Sequence, residues 1–302
     1  MMTLHSYRAG SASLSNDAVA DKNRFRESGN NSILCMRLFL VILMAFTMQS
    51  CEDVIELELD SAEPRVVIDA AINVFPDGSQ ENRIRITRTT DFYEVETEAI
   101  ETAIVRVIDQ DGTQYDFDHI SGGFYGTTDT SFSIMPNTEY TLEAIVESEL
   151  YTATEELVTA VPLTGVEQES DAGFSGEDRQ FKVFFSDPGG VANYYFFTYE
   201  YNGGSFFEVL EDEFFDGSDI FTLFFLEDTD AGEDVTVTLY GVDEQYYQYG
   251  FTLANQLNQD GPFETQPATV RGNIVNASKP EDFPFGYFRI SEAYPFTFTV
   301  ED

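Results

Sequence analysis

From Val54 onward, apolar and polar residues alternate one for one, and turn residues interrupt the alternation at short intervals. "VIELELD" sets Ile55, Leu57 and Leu59 on one face and Glu56, Glu58 and Asp60 on the other. "RVVIDAAINV" and "NRIRITR" repeat the pattern around Pro76-Asp77-Gly78. "TAIVRVID", "TQYDFD" and "TSFSIM" follow, separated by Asp111-Gly112 and Gly122-Gly123 and closed by Pro136-Asn137. A period of two sends successive side chains to opposite faces of a pleated strand, whereas a helix needs a period of 3.6. Short strands with such turns between them build antiparallel sandwiches. Tyr140–Val146 and Leu150–Leu157 read as a hairpin. The pattern therefore predicts a mostly β protein whose N-terminal domain, 51–161, is an immunoglobulin- or transthyretin-like sandwich.

Residues 162–180, with "VEQESDAGFSGEDRQ", read as a polar linker, and 181–302 as a second β-rich domain. Its strands carry adjacent aromatics (Tyr194-Tyr195, Phe196-Phe197, Phe214-Phe215, Phe224-Phe225). Neighbouring positions face opposite ways, so both faces of these strands should be covered. One short helix is expected in "VDEQYYQYGFTLANQLN". Tyr246, Tyr249, Leu253 and Leu257 form one stripe and Asp243 is its N-cap, although Gly250 interrupts the pattern.

Ahead of the strands stands "MRLFLVILMAFTMQSCED". Arg37 precedes an apolar run from Leu38 to Met48, too short for the roughly 20 residues that span a bilayer but right for a secretory signal's apolar core. Ser50 before Cys51 resembles a bacterial lipobox, so 36–50 reads as a lipoprotein signal peptide and Cys51 as the acylated first residue of the mature protein. Residues 1–35 are polar and aperiodic. The simplest reading is an upstream extension with Met36 as the true start; a long n-region is the alternative. Two or more acyl chains on Cys51 would anchor the protein stably. Glu52, Asp53 and Glu56 resemble the surface-export signal of Bacteroidota lipoproteins.

Charge and chemistry narrow the functional classes. The sequence has 15 Lys and Arg against 55 Asp and Glu, a net charge of −40, which argues against nucleic acid as a partner. Aromatics at 15% and apolar residues at 42% are ample for a core, so acidity here does not signify disorder. Once Cys35 is removed with the leader and Cys51 is acylated, no thiol is left for catalysis, and His119 is the only histidine of the mature part. A lone histidine beside a turn is a poor start for a triad and cannot build a zinc site. Paired carboxylates are uninformative in so acidic a chain. Two acidic runs, "EDEFFDGSD" and "EDTDAGED", offer oxygens to calcium. Asp228, Asp230 and Asp234 of the second are the candidate ligands, against a reading as solvated turns. Arg83, Arg85 and Arg88 share one strand, with neighbouring carboxylates as their expected partners and a small anion site as the alternative.

Several stretches taken together, "CEDVIELELDSAEPRVVIDAAI", "IRITRTTDFYE", "AIVRVIDQDGTQYDF", "FSDPGGVANYYFF", "DEFFDGSDI", "VRGNIVN" and "FGYFRISE", resemble the Bacteroidota lipoproteins of domain-of-unknown-function family 4249. The resemblance implies an outer-membrane lipoprotein associated with a TonB-dependent transporter; together with the signal it gives the expectation of a non-enzymatic lipoprotein at the cell surface, accessory to that transporter in capturing cargo. It carries over no site residue except Cys51. A structural or adhesive envelope module making protein contacts is the alternative, and a carboxylate-based glycan hydrolase stands third. Exposed rings would make the partner contacts, and Phe214, Phe215, Phe263, Phe283 and Phe285, in segments that read as loops, are the candidates. Cargo, leaflet and oligomeric state are not written in the sequence.

Overall fold

The computed structural model describes residues 63–91, 94, 96–172, 178–226, 229–257 and 269–301. Residues 61–302 form one compact unit. Cys51, Asp228, Phe263 and the alternating stretch 54–60 lie outside the described residues.

Seven strands make the first half: β1 (Val66–Val74), β2 (Gln80–Arg88), β3 (Ile104–Asp109), β4 (Gln114–Ser121), β5 (Phe124–Gly126), β6 (Glu139–Val146) and β7 (Glu149–Glu156). The second half holds β8 (Leu163–Ala172), β9 (Asp178–Ser186), β10 (Tyr194–Tyr201), β11 (Gly204–Glu211), β12 (Asp219–Leu226), β13 (Asp234–Val242), the helix α1 (Glu244–Leu257), β14 (Val275–Asn276) and β15 (Phe288–Thr299). The protein is mostly β and sandwich-like, as the alternation predicts. One continuous ladder runs β11-β10-β13-β15-β1-β2-β5-β4-β3-β6-β7-β14, and β12-β9-β8 form a separate small sheet.

Two hydrophobic cores result. Ile68 and Ile72 of β1, Ile84 and Ile86 of β2, Val105, Val107, Leu142 and Ala144 bury the alternating face of the first sandwich. Phe181, Val183 and Phe185 of β9 meet Tyr195, Phe197 and Tyr199 of β10 and Val235, Val237 and Leu239 of β13 in the second. Strand β15 belongs to both. Its first half pairs parallel with β1, from Ala70 opposite Phe288 to Val74 opposite Glu292. Its second half pairs antiparallel with β13, from Tyr240 opposite Ala293 to Asp234 opposite Thr299. Phe288 and Ile290 therefore fill the N-terminal core although they lie near the C-terminus.

Two local expectations read differently in three dimensions. "TSFSIM" forms no strand; Phe132 and Ile134 enter the core from an unpaired segment, and the three residues of β5 pair with β2 and β4 instead. The stretch expected as linker carries β8 and the start of β9, because Leu163, Val166 and their neighbours pair with β9 and cover the second core.

Candidate functional site

The helix is positioned by one face and leaves another to work with. Asp243 caps it, accepting from the Tyr246 amide at 2.7 Å. Gly250 allows close contact with β11, since a Cβ there would lie 2.7 Å from Val209 Cγ1. Tyr247 packs on Tyr194 of β10. The stripe Tyr246, Tyr249 and Leu253 does not enter a core. It walls a cleft of about 610 Å³ whose opposite side is Val67, Asp69, Phe285, Tyr287 and Arg289, at the seam where the chain joins β1.

Glycine makes this floor possible. Gly286 has φ +94°, and a Cβ on it would lie 2.0 Å from the Ile68 carbonyl oxygen, so only glycine lets the chain lie flush against β1. The amides of Ile68 and Ala70 donate to Phe285 and Tyr287 oxygens, each at 2.9 Å, and lock that approach.

Arg289 brings a positive charge to the cleft. Its guanidinium stands 4.6 Å from the Tyr240 ring centroid, 5.3 Å from Phe196 and 5.7 Å from Tyr246. It donates to Asn73 Oδ1 at 2.8 Å, and its charge beside Tyr246 opposes part of the rise that burial gives that hydroxyl. Asn73 is held in turn by donating to Glu81 at 2.9 Å. Among the described residues no carboxylate pairs with Arg289; Asp69, on the same wall, is taken by Arg83 at 2.9 Å. Burial first, then the neighbouring Tyr246 and Asp69, pushes the Tyr249 hydroxyl up to about 12. Burial likewise raises Tyr246 and Tyr287, so all three phenols keep their protons near neutrality, that of Tyr287 being donated to Asp243 Oδ1 at 3.5 Å. The site offers rings, hydroxyls and one oriented cation, which suits binding. Among the described residues, no activated nucleophile lines it.

A second constellation lies at one end of the second sandwich. Asp187, Asp212 and Asp216 bring carboxylate oxygens within 4.8 Å of one another, the first two buried. They could hold a divalent cation, but each already accepts a hydrogen bond. Asp187 takes the Tyr195 hydroxyl at 2.5 Å and the Gly217 amide at 2.9 Å, Asp212 the Asn193 amide at 2.7 Å, and Asp216 the Gly190 amide at 2.6 Å. These bonds staple the loop after β9 to the loop after β11, and they account for the buried carboxylates without a metal.

A family model described as domain of unknown function, DUF4249, matches residues 52–294, a span that includes every cleft residue named above. The chain belongs to this family. No curated protein matches it. Among solved structures, it is similar to a segment of two fibronectin type-III domains from chicken tenascin. That match is 16% identical, covers 60% of this chain and 91% of the other, and has a TM-score of 0.19. It is also similar to the chicken interferon gamma receptor alpha chain, at 9% identity, with 59% and 88% covered and a TM-score of 0.19. Neither likeness enters the argument; the sandwich description rests on strand pairing.

The candidates read from sequence scatter across this DUF4249 chain. Phe285 lines the cleft. Phe283, next to it, is half-buried between the guanidiniums of Arg65 and Arg271, at 4.4 and 4.1 Å from its centroid. Phe214 is 89% exposed, whereas Phe215 turns inward against Phe185. The four described rings thus form no single patch, and Phe263 lies outside the described residues. Asp230 lies exposed in the β12–β13 connection and Asp234, exposed at the start of β13, accepts from Thr299; neither is in the carboxylate group that comes together among the described residues. Arg83 and Arg88 have the expected carboxylate partners, Asp69 and Glu147; Arg85 instead lies over Phe124. His119 packs on Tyr125, and its Nε2 lies 3.8 Å from Glu101 Oε1, with no hydrogen-bond partner among the described residues. Sequence reasoning missed Tyr287 and Arg289. The available signal was "FGYFRISE", where an arginine interrupts an otherwise apolar strand.

Proposed function

We propose that the protein is a non-enzymatic binding module, anchored through acylated Cys51 at the outer-membrane surface, that holds cargo for a TonB-dependent transporter in the cleft between α1 and the β1–β15 seam. The observation that carries this reading is the cleft itself. About 610 Å³ is within the range of small-ligand sites, and its walls are mostly apolar with a few fixed polar groups. The anchor and the transporter come from the signal-like leader and the family resemblance. Co-purification tests it: tagged protein from cells should bring down an outer-membrane transporter, and Tyr249→Ala with Leu253→Asp should lose cargo transfer while leaving the β fold intact. Retention of full transfer by that double variant would remove the cleft from the account.

A second reading, an adhesive module making protein contacts, is favoured by one feature. Edge strand β12 exposes Phe221, Leu223 and Phe225 at 41%, 43% and 44% on its outer face. Exposed apolar edges are prone to pairing. Loss of partner capture by Phe221→Ser and Phe225→Ser, with the cleft variants unaffected, would favour that reading.

A further inference from the structure

We infer that the cleft selects a monoanionic ligand: a carboxylate carried on an aromatic or similarly flat apolar body, with Arg289 binding the carboxylate. This rests on the cleft reading above and adds to it the chemical class of what is bound.

Three observations converge on that class. First, Arg289 is a cation without an ionic partner among the described residues, in a chain where acidic residues outnumber basic ones by 55 to 15. An arginine on such a background finds a carboxylate easily. This one is held instead among the rings of Phe196, Tyr240 and Tyr246 and by Asn73. Its planar fork has five N–H donors, and the bond to Asn73 leaves others for a ligand oxygen pair. Second, the walls that flank it are Tyr246, Tyr249, Tyr287 and Phe285, whose rings fit a flat apolar body, while the Tyr287 hydroxyl is turned to Asp243. Third, the charge count favours one negative charge over two. Asp69 stands on the same wall, so a dianion would meet a single cation, a nearby carboxylate and the field of the whole acidic chain.

The probes are 3-phenylpropanoate, its neutral amide and phenyl phosphate, titrated against the purified full-length lipoprotein in detergent by ligand-observed NMR. The acid should bind about tenfold more tightly than the amide, as expected for one charge-assisted pair. Phenyl phosphate should bind more weakly than the acid. Arg289→Gln should bring acid and amide to the same weak affinity. Because that variant also removes packing, Thr269→Glu provides a second test. Thr269 is an exposed cleft residue, and an added negative charge there should weaken the acid without changing the amide. Equal binding of acid and amide by the native protein would overturn the anion assignment and leave the cleft reading standing. Tighter binding of phenyl phosphate would overturn the single-charge argument. Failure of all three probes to bind would overturn the inference, while cargo transfer would still decide the cleft reading.

Discussion

Glu155 shows how a single side chain records its surroundings. It lies half-buried at the end of β7, donated to by Asn273 at 2.5 Å. Burial, and then the charge of Asp243, pushes its carboxyl up to about 8 from an ordinary 4.5, and the Asn273 bond opposes that only in part. The folded chain therefore holds this proton more tightly than the unfolded chain does. The resulting stabilisation is complete below about 4.5 and is lost as pH rises through about 8. Urea midpoints should decline across that window, and Glu155→Gln, which keeps the shape without the titration, should flatten the decline. A native midpoint that rises with pH, with the variant falling instead, would contradict the assignment. Arg289 makes the complementary point: its identity was visible in "FGYFRISE", but its lack of a counter-ion among the described residues was not, because its neighbours Asn73 and Tyr240 lie far away in the chain.

At the scale of elements, alternation made most of the first sandwich legible, since β1, β2, β3, β6 and β7 fall where period two and turn residues put them. The helix was legible too, with its cap at Asp243. What its stripe faces was not. Tyr246, Tyr249 and Leu253 have the spacing of a core-facing helix, but the surface opposite them is assembled by parallel pairing of β1 with β15, more than 200 positions apart. No local pattern encodes that contact. The unpaired "TSFSIM" segment is the converse case, where an alternating burial pattern survives without a ladder. Because α1 forms one wall of the cleft, its cap should matter beyond its own turn. Asp243→Ala should cost about 1 kcal/mol of stability, read as a lower urea midpoint. It should also weaken ligand binding more than an exposed substitution of equal cost, such as one in the Asp111-Gly112 turn.

For the whole molecule, the sharing of β15 between two cores is the organising fact. The two sandwiches carry separate hydrophobic interiors, but one 12-residue strand closes both. Losing either core should release the other, so thermal unfolding should be a single transition. Ile290→Ala in the first core and Phe197→Ala in the second should each lower that one transition, at a cost of about 2–5 kcal/mol, rather than split it. Calorimetry resolving two transitions, with each substitution moving only one, would show the cores to be independent. The shared strand also bears on function, because the same chain that joins the cores supplies Phe285, Tyr287 and Arg289 to the cleft.

The central claim is that this cleft is where the protein meets its cargo and transporter. The most direct measurement is site-specific photo-crosslinking in intact cells, with a benzophenone amino acid placed in turn at Tyr249, at Phe221 on the outer face of β12, and at Asp111 in an exposed turn. The account predicts an adduct from Tyr249 that contains cargo or an outer-membrane transporter, and none from Asp111. Adducts from Phe221 alone, with Tyr249 silent, would contradict it.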